Sequence, residues 1–300
     1  MSTPTIHSSI RPSRRPRIGM MLASLLLVVL PVASLAQDGE PPAAESPASE
    51  SAALERINQY RASAGVPPMA VHPALMEAAA GHVRYYEANQ GAESLAGMGL
   101  HEQDPAAPGF TGVSMNERAR AAGYEGGTVT ENAGFGRLDA AVEWYMDTVN
   151  HRLPLIHPSA LDVGIAQSAG AGFGIIDVGL RRDSLDVELP AVYPPPGATD
   201  VPTTWDGAET PDPAPGVPRP LGYPITAAFA RYQQVEWVAT ELRDAAGTPL
   251  ELSSPRTDWM RATAIIPHQP LSPGQTYTVR TEATVDGVTV TRAWSFTTRS

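Results

Sequence analysis

No cysteine and no lysine occur anywhere in the 300 residues. The first absence excludes disulfides and thiolate metal sites, so a folded chain of this length has to be held by ordinary apolar cores. The second leaves all 21 basic residues as arginine, a composition bias that no site chemistry demands. Also missing are Gly-x-Ser-x-Gly, His-Glu-x-x-His and a phosphate-cradling Gly-rich loop. Their absence removes the familiar hydrolase and nucleotide-binding signatures.

Positive charge is scarce, and part of it is confined to the start. Arg11, Arg14, Arg15 and Arg17 precede a largely apolar run from Ile18 to Leu30, followed by small residues at Ser34 and Ala36. A basic, then apolar, then small-residue pattern reads as an export signal cleaved near Ala36, and Pro31 with the polar, Pro-rich flank argues against a retained transmembrane segment. The expected location is secreted or extracytoplasmic. Removing residues 1–36 takes away four of the 21 arginines and no acid, leaving 17 against 32, a formal charge of −15. Such a surface repels phosphate backbones, so nucleic acid is excluded as an expected partner.

Residues 37–50 are rich in Ala, Pro, Ser and Glu without an apolar period and read as a disordered spacer. Ala53, Ile57, Tyr60 and Ala64 recur at helical spacing before Gly65; a second helix opens at Pro73 and carries Leu75, Ala79, Val83 and Tyr86 on one face. Residues 91–112 form a long Gly/Pro-rich loop. A short helix over 115–122 and a longer one marked by Leu138, Val142, Tyr145 and Val149 follow. Residues 162–167 and 173–179 are expected to pair as an antiparallel hairpin. Ten of the residues from Pro190 to Pro220 are proline, and beyond them runs at 225–229, 235–242, 262–266, 276–284 and 289–297 read as strands, with Asp286-Gly287 as a hairpin turn. The fold class is therefore α+β in residues 51–180, followed by an all-β sandwich in residues 190–300.

Several local motifs occur in a telling order. They are Leu100-His101-Glu102 in the long loop, Arg118 to Gly123-Tyr124, Glu131-Asn132-Ala133, Trp144-Tyr145 leading to Asn150-His151-Arg152, and Asp162-Val163-Gly164-Ile165. This set resembles the CAP (SCP-like) superfamily in its Cys-free bacterial branch. The resemblance covers roughly residues 51–180 and implies an α-β-α sandwich with a small antiparallel sheet. It also implies a cleft lined by two His and two acids, which carries His101, Glu131 and His151 to cleft positions. Glu143 is the expected fourth member, with Asp147 as the alternative. The two lie four residues apart and share a helix face, which equally suits a plain solvated surface.

His101, Glu131 and His151 are also ligand types that divalent cations such as Zn²⁺ accept, so a divalent cation (Zn²⁺, Ca²⁺ or Mg²⁺) is an optional cofactor. Plainer roles compete: Glu131 as an acceptor for loop N–H groups and His151 as a helix C-terminal cation. His72, His82, His157 and His268 are assigned to packing or surface.

In the later region, Pro273-Gly274-Gln275-Thr276-Tyr277 and Trp294-Ser295-Phe296-Thr297 resemble bacterial Ig-like domains. There Trp205, Trp237, Trp259 and Trp294 are expected to be core more than a carbohydrate platform. The CAP resemblance implies an extracellular or envelope binding module for a lipid, glycan or protein ligand recognised in the cleft. The alternative is a metal-assisted hydrolase of peptide or cell-wall material, so whether the chain is an enzyme stays open. A vestigial cleft beside a working Ig-like region is the third option.

Overall fold

The computed structural model describes residues 46–169 and 172–300. The export signal and most of the spacer lie outside these residues, as do Gly170 and Ala171 of the hairpin turn. Helix α1, Ser46–Ser63, takes in the last five residues of the expected spacer, at a point where Glu50 accepts the Gln167 backbone N–H at 2.9 Å. It stops ahead of Gly65, whose φ of +71° is the left-handed conformation that glycine adopts without strain.

Two residues, β1 (Ala70–Val71), then lead into α2, Pro73–Ala88, with Pro at its first position and His72 as N-cap. The long loop holds two short 3-10 turns, Glu93–Leu95 and Gly97–His101. Next come α3 (Met115–Ala121), β2 (Thr128–Phe135), α4 (Leu138–Met146), α5 (Arg152–Ile156), β3 (Ala160–Gln167) and β4 (Phe173–Leu180). The expected hairpin is β3–β4, antiparallel, and the sheet order is β1-β3-β4-β2 with only β1 parallel to its neighbour.

Side-chain alternation along β4 sorts the layers. Phe173 and Ile175 pack with Ala79 and Val83 of α2, whereas Ile176 and Val178 pack with Ile57 of α1 and with Leu138 and Val142 of α4. Helices thus cover both faces of the sheet, the α-β-α arrangement. Close approach of α2 to β3 depends on Gly164, where a Cβ would lie 2.1 Å from the Leu75 carbonyl carbon.

The later region holds β5 (Ala191–Tyr193), β6 (Thr204–Trp205), β7 (Leu221–Gly222), β8 (Ile225–Ala228), β9 (Val235–Arg243), β10 (Leu252–Ser253), β11 (Arg256–Thr257), β12 (Ala262–Pro267), β13 (Thr276–Val285) and β14 (Val288–Thr297). One sheet runs β10-β12-β8-β5, with β11 also on β12, and a second runs β14-β13-β9. Asp286 and Gly287, both at positive φ, make the tight turn between β13 and β14.

Burial distinguishes the two sheets. Strand β13 alternates buried and exposed residues, so one face meets solvent, while β8 and β12 are buried at every position. Ile225, Ala227 and Ile265 face the second sheet. Their neighbours Ala228, Ala262, Ala264 and Ile266 share a core with α1, α4 and α5. The β10-β12-β8-β5 sheet is therefore a middle layer between the helices and the outer sheet.

Arg152 of α5 reinforces that seam. Its guanidinium donates to the Pro224 carbonyl at 2.6 Å and lies 4.8 and 4.9 Å over the rings of Tyr193 and Tyr223. No helix among the described residues is long and apolar enough to cross a membrane.

Candidate functional site

The first helical-side cluster forms where β2, the sheet edge, passes beneath α2, α3 and the long loop. His101 closes the second 3-10 turn, and its Nδ1 lies 2.8 Å from Oε1 of Glu131 on β2. The other Glu131 oxygen accepts from the buried guanidinium of Arg118, which also donates to the His101 carbonyl at 3.1 Å. Burial alone would raise the Glu131 pKa; the His101 hydrogen bond and the charge of Arg118 outweigh it, and the carboxyl is held below its ordinary range.

His82 backs this group from α2, with Nε2 3.9 Å from Glu131 and 2.7 Å from the Leu100 carbonyl. Its tautomer follows from its neighbours. Gln103 accepts the Thr111 backbone N–H on its own oxygen at 2.7 Å, so its amide nitrogen donates to His82 Nδ1 at 2.9 Å. The His82 proton then sits on Nε2, pointing at Leu100. Burial lowers the His82 pKa, which keeps the ring neutral.

Directly across from Glu131, Asp177 of β4 is fully buried and neither oxygen has a hydrogen-bond partner as a carboxylate. Burial first, and then the Glu131 charge, push its pKa well up. As a neutral acid, its O–H can be donated to Glu131.

The second cluster surrounds His151, in the turn between α4 and α5. Its Nδ1 lies 3.0 Å from Oε1 of Glu209, a residue of the Pro-rich segment between β6 and β7. The ring stacks on Tyr145 at 5.1 Å, with Trp144 at 4.9 Å, and its carbonyl accepts from Asn132 at 2.9 Å.

A cavity of about 590 Å³ opens beside His101 and Glu131. Residues 128–131 of β2 form one wall, Asn150 and Leu153 a second, and Thr257, Trp259 and Met260 of the later region a third. The lining is mainly apolar. The hydroxyl of Thr130, a residue of the β2 wall, is buried without a hydrogen-bond partner among the described residues.

Of the four expected cleft residues, the structure brings His101 and Glu131 into contact at the cavity and sets His151 next to the cavity-lining Asn150. Glu143 stands apart and 48% exposed, paired with Arg56 and accepting from Tyr60 Oη at 2.6 Å, because both partners project from α1. Asp147 is exposed at the α4 C-cap.

A cation at this point would have to be held without the Glu131 oxygens and without His151 Nδ1. Both Glu131 oxygens are engaged by Arg118 and His101, the arginine adds positive charge at that point, and His151 Nδ1 is engaged by Glu209. Among the described residues no three His, Asp or Glu side chains converge closely enough to hold a metal ion.

Four contributors were not singled out from sequence: His82, Arg118, Asp177 and Glu209. Asp177 carries a signal in retrospect, as the one charge in the apolar run 173–180. Glu209 carries none, since its partners are far away in the chain. Among the tryptophans, Trp205, Trp237 and Trp294 are core, while Trp259 is 50% exposed.

No curated protein matches the chain. Among solved structures, an extracellular protein containing an SCP domain from Bacillus anthracis is 15% identical, over 45% of this chain and 41% of its own, with a TM-score of 0.37. A cysteine-rich secretory protein from Staphylococcus aureus is 15% identical over 46% and 40%, with a TM-score of 0.35. CopC from Methylosinus trichosporium is 16% identical over 37% of this chain and 91% of its own, with a TM-score of 0.27. The chain thus spans about two fifths of the length of the two secretory proteins it matches. The model of the CAP, or cysteine-rich secretory protein, family matches residues 54–174, and that stretch of the chain is a CAP domain.

Proposed function

We propose that this is an exported binding protein whose CAP domain, together with the later β region, holds an amphipathic, lipid-like ligand. The observation that carries the reading is the cavity beside His101 and Glu131, whose exposed lining is mainly apolar. Apolar walls favour an acyl or similarly apolar body over a glycan, which needs many polar contacts. His101 Nε2 is the group that would meet a polar head. Export rests on the basic and apolar pattern of residues 11–36.

The hydrolase reading loses support at Glu131. A general base needs an accessible lone pair, and this carboxylate is fully buried between Arg118 and His101. Titration of the purified chain with a fluorescent fatty acid tests the proposal. Saturable binding is expected, weakened about tenfold or more by Trp259→Ala, a change at an exposed wall residue. Binding of soluble oligosaccharides with no fatty-acid binding would overturn the lipid reading.

A further inference from the structure

Glu209 lies outside the stretch that matches the CAP family, yet its carboxylate is built into the CAP domain. Its side chain is fully buried, and among the described residues no arginine pairs with it. Oε2 accepts the Val149 backbone N–H at 2.8 Å, and Oε1 accepts those of Asn150 at 2.6 Å and His151 at 3.3 Å as well as facing His151 Nδ1. A buried anion is costly unless donors surround it, and here both oxygens are met by donors. Asn150 Nδ2 donates to the Pro211 carbonyl at 2.9 Å and clamps the same segment.

The surroundings also fix the proton on His151. Thr148 Oγ1 donates its hydrogen to the Tyr145 carbonyl at 2.9 Å, so towards His151 Nδ1, 3.2 Å away, it can only accept. Both neighbours of Nδ1, Glu209 and Thr148, are therefore acceptors, and Nδ1 carries the hydrogen. In the neutral ring Nε2 is then a bare lone pair, with no partner among the described residues. His101 is held the same way, with Nδ1 on Glu131. Each ring is 18% exposed over a fully buried carboxylate.

We infer that Glu209 is a positioning residue for the cleft: the Pro-rich segment between β6 and β7 of the later region supplies the carboxylate that holds His151 with Nε2 as an acceptor and sets the 149–151 turn that walls the cavity. The CAP domain is thereby incomplete without residues beyond it. Glutamine cannot substitute, because its amide group would face a backbone N–H in either orientation.

The test uses the full chain labelled with ¹⁵N-histidine, in alkaline buffer where imidazoles are neutral. Two-bond ¹H–¹⁵N spectra are expected to show His101 and His151 both protonated at Nδ1, with His151→Asn assigning the second signal. In Glu209→Gln the His151 pattern shifts towards the Nε2-protonated form while His101 stays unchanged. His151 protonated at Nε2 in the parent chain would overturn the inference without any variant, as would an unaltered His151 pattern in a folded Glu209→Gln chain.

The binding arm rests on the ligand reading above. Fluorescent fatty acid is expected to bind Glu209→Gln about tenfold more weakly, one net hydrogen bond's worth, and equal binding would count the cleft role out. A parent chain that binds no fatty acid overturns the lipid reading alone, and the tautomer spectrum then decides for Glu209.

Discussion

Glu131 and Asp177 face each other across β2 and β4, both with buried side chains, and lean opposite ways in proton affinity. Glu131 has His101 and Arg118 to hold its charge, whereas at Asp177 burial and the negative charge of Glu131 outweigh the pull of Arg118. The pair is one anion and one neutral acid, which is how two buried carboxyls share a low-dielectric site.

Replacing Asp177 with asparagine should therefore stabilise the chain at neutral pH. The unfolded aspartate is ionised there and has to take up a proton on folding. A raised folded pKa means stability that is complete below the unfolded pKa and lost as pH rises. The asparagine amide retains a donor towards Glu131 without the proton uptake. The melting temperature of Asp177→Asn should exceed the parent's at pH 7, with the difference shrinking as pH falls towards the ordinary Asp pKa of 3.8. A lower melting temperature at pH 7 would mean that Asp177 is ionised and paired.

Arg118→Met leaves Glu131 without its main counter-charge, directly opposite another carboxyl. Removing one partner of a buried ion pair costs about 3–5 kcal/mol, and two bonds from the guanidinium to the His101 and Val113 carbonyls go with it. Urea unfolding should show a loss of that order. Glu131→Gln in the same background should recover part of it by removing the stranded charge.

Some of this architecture could be read ahead of the structure, and the residues show why. The alternating run Thr276–Val285 gave a half-buried strand because one face of β13 meets solvent. The continuous runs 225–228 and 262–267 carried a further message, burial on both faces, which locates a middle layer. His101 and Glu131 were legible through ordered local motifs. Glu209 was not, because its bonds to residues 149–151 span some 60 positions and depend on how two regions dock. Glu143 misled for a related reason: helix periodicity puts it on a face, but Arg56 and Tyr60 of another helix decide what that face meets.

Gly164→Ala tests the packing that brings α2 over the sheet. Its Cβ would meet the backbone of Leu75 and Met76 at 2.1–2.5 Å, and neither is a side chain free to swing aside. Overpacking of this kind costs about 1–3 kcal/mol. Because α2 also carries His82, the same variant should perturb the His82 resonances, whereas a variant with parental stability would mean that helix and strand separate easily.

The seam between the two regions should itself be acid-sensitive through His157. This fully buried ring accepts the Ser159 N–H on Nδ1 at 3.0 Å and donates from Nε2 to the Met260 carbonyl of the later region at 2.7 Å, so it has to stay neutral. Burial, only partly opposed by the Met260 bond, lowers its pKa from 6.5 to about 4. Between those values the unfolded chain binds a proton that the folded chain does not. Stability is therefore whole above pH 6.5 and falls with acidification, by about 3 kcal/mol from this group at pH 4. Buried His82 adds a loss of the same sign, so the difference between parent and His157→Gln is the informative quantity. The glutamine amide can still donate to Met260 but does not titrate. Urea midpoints measured from pH 7 down to pH 4 should converge for the two chains as the parent loses its advantage. Parallel curves would mean that His157 is protonated without opening the seam.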